Sequence, residues 1–252
     1  MLARLGAGWS PEQISGRMAR DAGHRMISYE SIYRFIYAQI RRTNDYAWRH
    51  YLPRAKSRRG WRGRRGGSPA KTIPGRIPLA QRPDAPRSCP GHWEADLMLF
   101  ATYGQAILAA HDRSSRLTII TRPPGKAAGP IAEQLIQWLQ PLPQPLRASI
   151  SFDNGTEFAR HQHIQAIGTP TFFCDTHSPW QKGGVENAIG RLRRYLPRKA
   201  NLDCLNPDHI QRAAQIYNNT LRKCLDFKTP AEAFYDQLLH FKCEPTSQPA
   251  LG

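Results

Sequence analysis

His92-Trp93-Glu94-Ala95-Asp96-Leu97-Met98-Leu99-Phe100 is the stretch from which the rest of the chain can be ordered. Its aromatic and aliphatic residues suit a β-strand, and strand alternation puts Glu94 and Asp96 on one face. The flanks Trp93, Leu97 and Leu99 predict a strand that is mostly covered, an environment in which a carboxylate is costly unless it has a partner. Two further strand-like runs follow at 106–110 and 117–121, then a helix over 128–139 and a Pro-rich turn at 141–145. A fourth strand over 149–152 runs into the turn Asp153-Asn154-Gly155. A short helix over 157–166, a fifth strand over 171–174 and a basic helix from Gly183-Gly184 to Arg194, stopped by Pro197, complete the series. Three strands, then helix, strand, helix, strand and helix, is the order of a ribonuclease-H-like α/β fold, a mixed sheet flanked by helices. A further helix from Pro207 to Tyr217 is expected to pack on this core.

The charge points to a polyanion. The 252 residues carry 36 Lys and Arg against 19 Asp and Glu, a formal net charge of +17. Self-repulsion of that size opposes a compact state unless a counter-charged partner is met. No apolar run reaches the roughly 18–20 residues of a spanning helix, and the opening residues do not form a signal peptide, so nucleic acid is favoured over membrane. Five scattered cysteines, Cys89, Cys174, Cys204, Cys224 and Cys243, form no CxxC pair, which predicts reduced thiols in a cytoplasmic protein and no structural zinc.

Residues 1–45 read as a small helical DNA-binding segment. Ser10-Pro11-Glu12-Gln13 combines an N-cap Ser, a Pro at the first helical position and a Gln three residues after the cap. Ile14 and Met18 line one face; a turn at Asp21-Ala22-Gly23-His24 leads to a second helix capped by Ser28, with Ile32, Phe35 and Ile36 on one face. Two short helices across a Gly-containing turn are compatible with a partial helix-turn-helix, although any helical hairpin has this pattern. Residues 46–90 read as a basic linker. Arg58, Arg59, Arg64 and Arg65 stand there among other cations with no acid nearby, an arm suited to DNA phosphates. Residues 91–240 form the expected ribonuclease-H-like domain with its C-terminal helices, and 241–252 a tail.

Asp96 in the first strand, Asp153 at the end of the fourth and Glu186 near the start of the basic helix occupy places where an α/β sheet presents ligands. Three converging carboxylates repel unless a divalent cation balances them, and oxygen donors select Mg2+ or Mn2+. Two such ions about 3.5–4 Å apart can activate an attacking oxygen and stabilise a leaving one on a phosphodiester. Taken singly, each acid has an ordinary reading too: Asp153 as a turn former, Glu186 as a first-turn acid. Glu94, Asp112, Glu157 and Asp175 are competitors that spacing alone does not remove. Trp93 and Trp180 are read as packing residues.

The blocks His92 to Leu97, Asp153-Asn154-Gly155-Thr156-Glu157-Phe158 and Ser178-Pro179-Trp180-Gln181-Lys182-Gly183-Gly184-Val185-Glu186-Asn187 resemble the three catalytic blocks of bacterial DDE transposases. The insertion-sequence-thirty family is the best match, down to the 33-position interval between Asp153 and Glu186. The basic run Arg191 to Lys199, the segments Gly8 to Ile14 and Ser28 to Tyr33, and Lys228-Thr229-Pro230-Ala231-Glu232 resemble further family signatures in the same order. The resemblance implies a ribonuclease-H-like integrase core in which Asp96, Asp153 and Glu186 are catalytic and bind two Mg2+ or Mn2+ ions. It implies a phosphate contact for Arg193, with Lys182, Arg191 and Arg194 beside it on DNA. The expected activity is nicking at insertion-element ends followed by joining of the 3′-hydroxyl to target DNA. A homodimer or larger assembly on double-stranded DNA, in the bacterial cytoplasm at the nucleoid, would carry it out. Family members usually start upstream of the position of Met1 with another helix-turn-helix, so an N-terminally truncated chain is expected. Residues Gly184-Val185 stand where polar residues are more usual. A catalytically silent DNA-binding protein acting as repressor or decoy, and a ribonuclease-H-like nuclease, are the alternatives.

Overall fold

The computed structural model describes residues 1–43, 45–51, 73–175 and 178–243. They divide into two compact units, one built from the N-terminal residues together with 220–230, the other from the remainder.

In the first unit, α1 (Leu2–Gly6), α2 (Pro11–Ala22) and α3 (Tyr29–Thr43) bury Leu5, Ile14, Ile32 and Ile36. The expected capping box is present. The Gln13 amide N–H donates to Ser10 Oγ (3.2 Å), and the Ser10 N–H to Gln13 Oε1 (2.7 Å), so two otherwise unmatched donors at the start of α2 are satisfied. Gly23 ends α2 with φ +72°, a left-handed conformation that a Cβ would strain. The five-residue α1 supplies the third wall of this core through Leu5. Residues 220–230, which the sequence reading placed in the ribonuclease-H-like domain, fold onto α2. The Gln13 side-chain amide donates to the Leu221 carbonyl (2.8 Å), Arg20 pairs with Asp226, and the Phe227 ring lies against Gly16, where any Cβ would collide with it. Helical periodicity carries no trace of a pairing across some 200 residues.

The second unit is a five-stranded sheet in the order β3-β2-β1-β4-β5, with β1 His92–Leu99, β2 Ala106–Asp112, β3 Thr118–Thr121, β4 Ser149–Phe152 and β5 Thr171–Phe173. β1, β2 and β3 pair antiparallel; β1 with β4 and β4 with β5 pair parallel. Both faces are covered. Trp93, Ala95 and Leu97 of β1 and Leu108 and Ala110 of β2 join a core with Ile131, Ala132 and Leu135 of α4 (Ala128–Leu139) and Ile164 of α5 (His161–Ala166). The alternate residues Met98, Ile107 and Ala109 pack with Val185, Ala188 and Leu192 of α6 (Gly183–Leu192) and Ile210, Ala213 and Ala214 of α7 (Pro207–Asn218). Two-sided burial explains why β2 is apolar along most of its length instead of alternating. α8 (Pro230–Cys243) lays Phe234 against Trp93. This is the mixed, helix-flanked sheet of the ribonuclease-H-like class expected from the element order.

One boundary differs. Residues from Ile73 onward are not linker: Ile73 is buried in the α4 core, the Ile77 carbonyl accepts from the Phe173 N–H (2.8 Å), and Pro78 bridges to the edge of β5. The segment is rich in Pro and Gly, which a sheet tolerates at its edge, so it gave no strand pattern. Among the described residues no helix is long and apolar enough to cross a membrane.

Candidate active site

Register brings the two aspartates together. β1 and β4 run parallel with His92 opposite Ser149 and Glu94 opposite Ser151. Continuing that offset two places sets Asp153, just beyond β4, beside Asp96. Adjacent strands lie only about 4.8 Å apart. The two carboxylates meet through Lys182, whose Nζ lies 3.1 Å from Asp96 Oδ2 and 2.9 Å from Asp153 Oδ2. The remaining oxygens accept backbone N–H groups, Asp96 Oδ1 from Leu97 (2.8 Å) and Asp153 Oδ1 from Gly155 (3.0 Å). The Lys182 side chain is 9% accessible.

Electrostatics follow from this crowding. Burial pushes the Asp96 carboxyl above the usual carboxylate range; Asp153 adds to the rise and Lys182 opposes it. Burial works against the charge on Lys182, yet Asp96 and Asp153 together outweigh it and hold the ammonium above its ordinary value. Glu157, from the turn after Asp153, is raised by burial and then by the negative charges of Asp153 and Asp96, so a third carboxylate lies within the field of the pair.

Glu94 has a different task. Its side chain is buried on the α6 face of β1, and its Oε2 accepts the Val185 N–H at 2.9 Å. No side chain of its own caps α6. A carboxylate from the neighbouring strand therefore satisfies the free donors at that end and complements the helix dipole. Burial raises Glu94, with Val185, Arg113, Arg82 and Gly184 pulling the other way; Arg113 Nε is 3.6 Å from Oε1. The close fit accounts for Gly184: a Cβ there would stand 2.7 Å from Glu94 Oε2 and 2.9 Å from His111 Cδ2. The Gly at this position thus has a local steric reason.

Not every expected residue joins the pair. Glu186 lies in the first turn of α6 and is exposed, and among the described residues no group of three or more His, Cys, Asp or Glu is close enough together to hold a metal ion. Lys182, expected on DNA, is instead committed to the two aspartates. Arg193 is also turned to the protein, its Nη2 donating to the Leu99 carbonyl (2.6 Å) and its guanidinium 4.8 Å from the Phe100 ring. Arg191 and Arg194 are exposed, Arg191 donating to Asn187 Oδ1 (3.1 Å). Arg58, Arg59, Arg64 and Arg65 lie outside the described residues. Asp112 is a turn former, its Oδ2 accepting from the Ser115 N–H and from the hydroxyls of Ser114 and Ser115. Trp93 is fully buried as expected, whereas Trp180 is 72% exposed beside Lys182. The clasp by Lys182 was missed although the residue stands four positions before Glu186. Nothing in a linear motif tells which of its basic residues turns inward.

The fold defines a ribonuclease-H-like domain with paired aspartates at the centre of its sheet. No protein-family model matches the chain. It is 37% identical over 241 residues to the transposase InsI of insertion sequence element IS30A from Escherichia coli K12, covering 92% of this chain and 62% of that protein. It is 34% identical to the transposase of IS1086 from Cupriavidus metallidurans and 34% identical to that of IS4351 from Bacteroides fragilis, spanning 68% and 70% of their lengths. Among solved structures, the catalytic core domain of BIV integrase is similar at 21% identity and a TM-score of 0.47, over 61% of this chain and 99% of that domain. The chain belongs to the insertion-sequence transposase family that includes IS30A, IS1086 and IS4351.

Proposed function

We propose that this chain is a metal-dependent polynucleotidyl transferase that nicks DNA at the ends of an insertion element and joins the freed 3′-hydroxyl to target DNA. The observation that carries the reading is the Asp96–Lys182–Asp153 cluster: two carboxylate oxygens already bracket a positive charge at the centre of the sheet. Hard oxygen donors of this kind suit Mg2+ or Mn2+. Asp96 and Asp153 would hold one ion between them, and Glu186, on the helix that Glu94 fixes against β1, is the third carboxylate toward a second. When bound, such ions supply Lewis-acid activation of the attacking oxygen and neutralise the leaving one.

The chain's own residues do the positioning. β1 and β4 set the spacing of the two aspartates, and Glu94 sets the height of α6 over the sheet. Exposed Arg191 and Arg194, with the basic stretch before residue 73, attract the phosphate backbone. Nicking and joining are the same in-line displacement with different nucleophiles, so one site serves both. The helical unit would contact element ends, and a homodimer or larger assembly would hold paired ends.

The decisive experiment is magnesium- or manganese-dependent nicking and strand transfer on a labelled duplex carrying the element's own ends, with wild type beside Asp96→Asn and Asp153→Asn. Joined product from wild type alone is expected. Salt-sensitive binding with no cleavage by any of the three would overturn the reading and leave a DNA-binding repressor; cleavage without joining would leave a nuclease.

A further inference from the structure

We propose that Lys182 is a built-in competitor for the divalent cation: its ammonium occupies the metal position between Asp96 and Asp153 and must withdraw before an ion can enter. The inference rests on the reading of these aspartates as metal ligands. Each carboxylate has one oxygen tied to a backbone N–H, Asp96 through Leu97 and Asp153 through Gly155. The two Oδ2 atoms are the pair left to face an ion, and both are taken by Nζ, at 3.1 and 2.9 Å. An ammonium and a divalent ion cannot share that position, because like charges a few ångströms apart in a partly dry site repel strongly.

The arrangement is suited to exchange. Lys182 is carried on the short turn Pro179–Lys182 that leads into α6, not on the sheet that fixes the aspartates. Its stem is a flexible four-carbon chain ending in a point charge, able to swing without moving the backbone. The following Gly183 has open space where a Cβ would be. The ammonium leaves as the cation it already is, so no proton changes hands. Between the aspartates it offsets the repulsion of two crowded carboxylates, the less accessible of which is Asp96. Once displaced it is free to meet a DNA phosphate, which reconciles its inward position with the basic character of its motif. Metal loading and this DNA contact would then be coupled.

The test is Mn2+ binding to the DNA-free full chain, read from loss of the free-ion electron paramagnetic resonance signal, for wild type, Lys182→Gln, Lys182→Arg and Asp153→Asn. Removing the resident charge is expected to tighten Mn2+ binding by about tenfold or more. Lys182→Arg, which keeps a cation, should bind no tighter than wild type, and Asp153→Asn should lose the site. Unchanged or weaker binding by Lys182→Gln, with Asp153→Asn still lost, overturns the competition and leaves the metal site standing. Binding indifferent to Asp153→Asn overturns the metal site itself, and the competition with it. Should Lys182→Gln be unfolded without metal, Mn2+ is expected to refold it as followed by circular dichroism, and failure to do so would refute the proposal.

Discussion

Two Gly→Ala substitutions within one helix separate packing from propensity in α6. Gly190 is exposed and a Cβ there meets nothing within 4 Å, so Gly190→Ala should gain the ordinary helical advantage of Ala, about 0.5–1 kcal/mol. Gly184→Ala is offered a comparable advantage but places its Cβ 2.7 Å from Glu94 Oε2 and 2.9 Å from His111 Cδ2. Neither neighbour can step aside cheaply. Glu94 is held by the Val185 N–H and lies beside Arg113, and His111 Nδ1 is within 2.9 Å of Thr118 Oγ1 in a fully buried pair. Overpacking of this kind costs about 1–3 kcal/mol, so Gly184→Ala should be destabilising by up to about 2 kcal/mol after its propensity gain. The gap between the two variants in urea unfolding, followed by far-UV circular dichroism, should be about 2 kcal/mol. On the proposed function, the same strain would also shift Glu186, two residues on, so that DNA nicking by Gly184→Ala should fall about a hundredfold while Gly190→Ala keeps wild-type rates. Equal stability of the two variants would refute the claim that α6 is seated on Glu94.

Glu94 should also leave a signature in the pH dependence of stability. Its folded pKa is raised by burial, so the native state retains this proton to higher pH than the unfolded chain. Stability from that proton is complete below the unfolded value and is lost as pH rises through the raised one. Urea midpoints should therefore fall, relative to Glu94→Gln, over the window just above the ordinary Glu pKa; a constant difference across that window would contradict the burial argument. Asp112→Ala removes one fully buried oxygen that accepts three hydrogen bonds, from the Ser115 N–H and two hydroxyls, and should cost about 2–4 kcal/mol in thermal or urea unfolding. Ser10→Ala breaks the capping box of α2 and should cost the helical unit about 1 kcal/mol, seen as faster amide exchange in its first turn. Arg194→Ala, at an exposed site, should weaken DNA binding across all sequences and lower its salt slope by about one without changing stability.

The order of strands and helices, the capped start of α2 and the two aspartates were legible in the residues. Each depends on neighbours a few positions away: an apolar, aromatic-rich run in β1, a Ser cap with Gln three residues later, an acid in an apolar strand. The sequence also offers Asp96, Asp153 and Glu186 as candidate ligands of a divalent ion, of which the structure sets only the two aspartates together. What it did not reveal were relations set by contacts distant in the chain. Residues 73–78 join the edge of β5, 220–230 fold onto α2, and Arg193 turns to the Leu99 carbonyl.

Sequence alone therefore carried the class of fold and the family resemblance, because hydrophobic period and motif spacing are local properties of the chain, and it offered Asp96, Asp153 and Glu186 without deciding which of them meet. Tertiary structure decided which charge meets which. Parallel register set Asp96 beside Asp153, the turn into α6 brought Lys182 between them, and the seat of α6 on β1 gave Glu94 the Val185 N–H and Gly184 its lack of a side chain. Those pairings depend on distance and burial in three dimensions, on which the energy of a buried charge depends and which linear spacing does not encode.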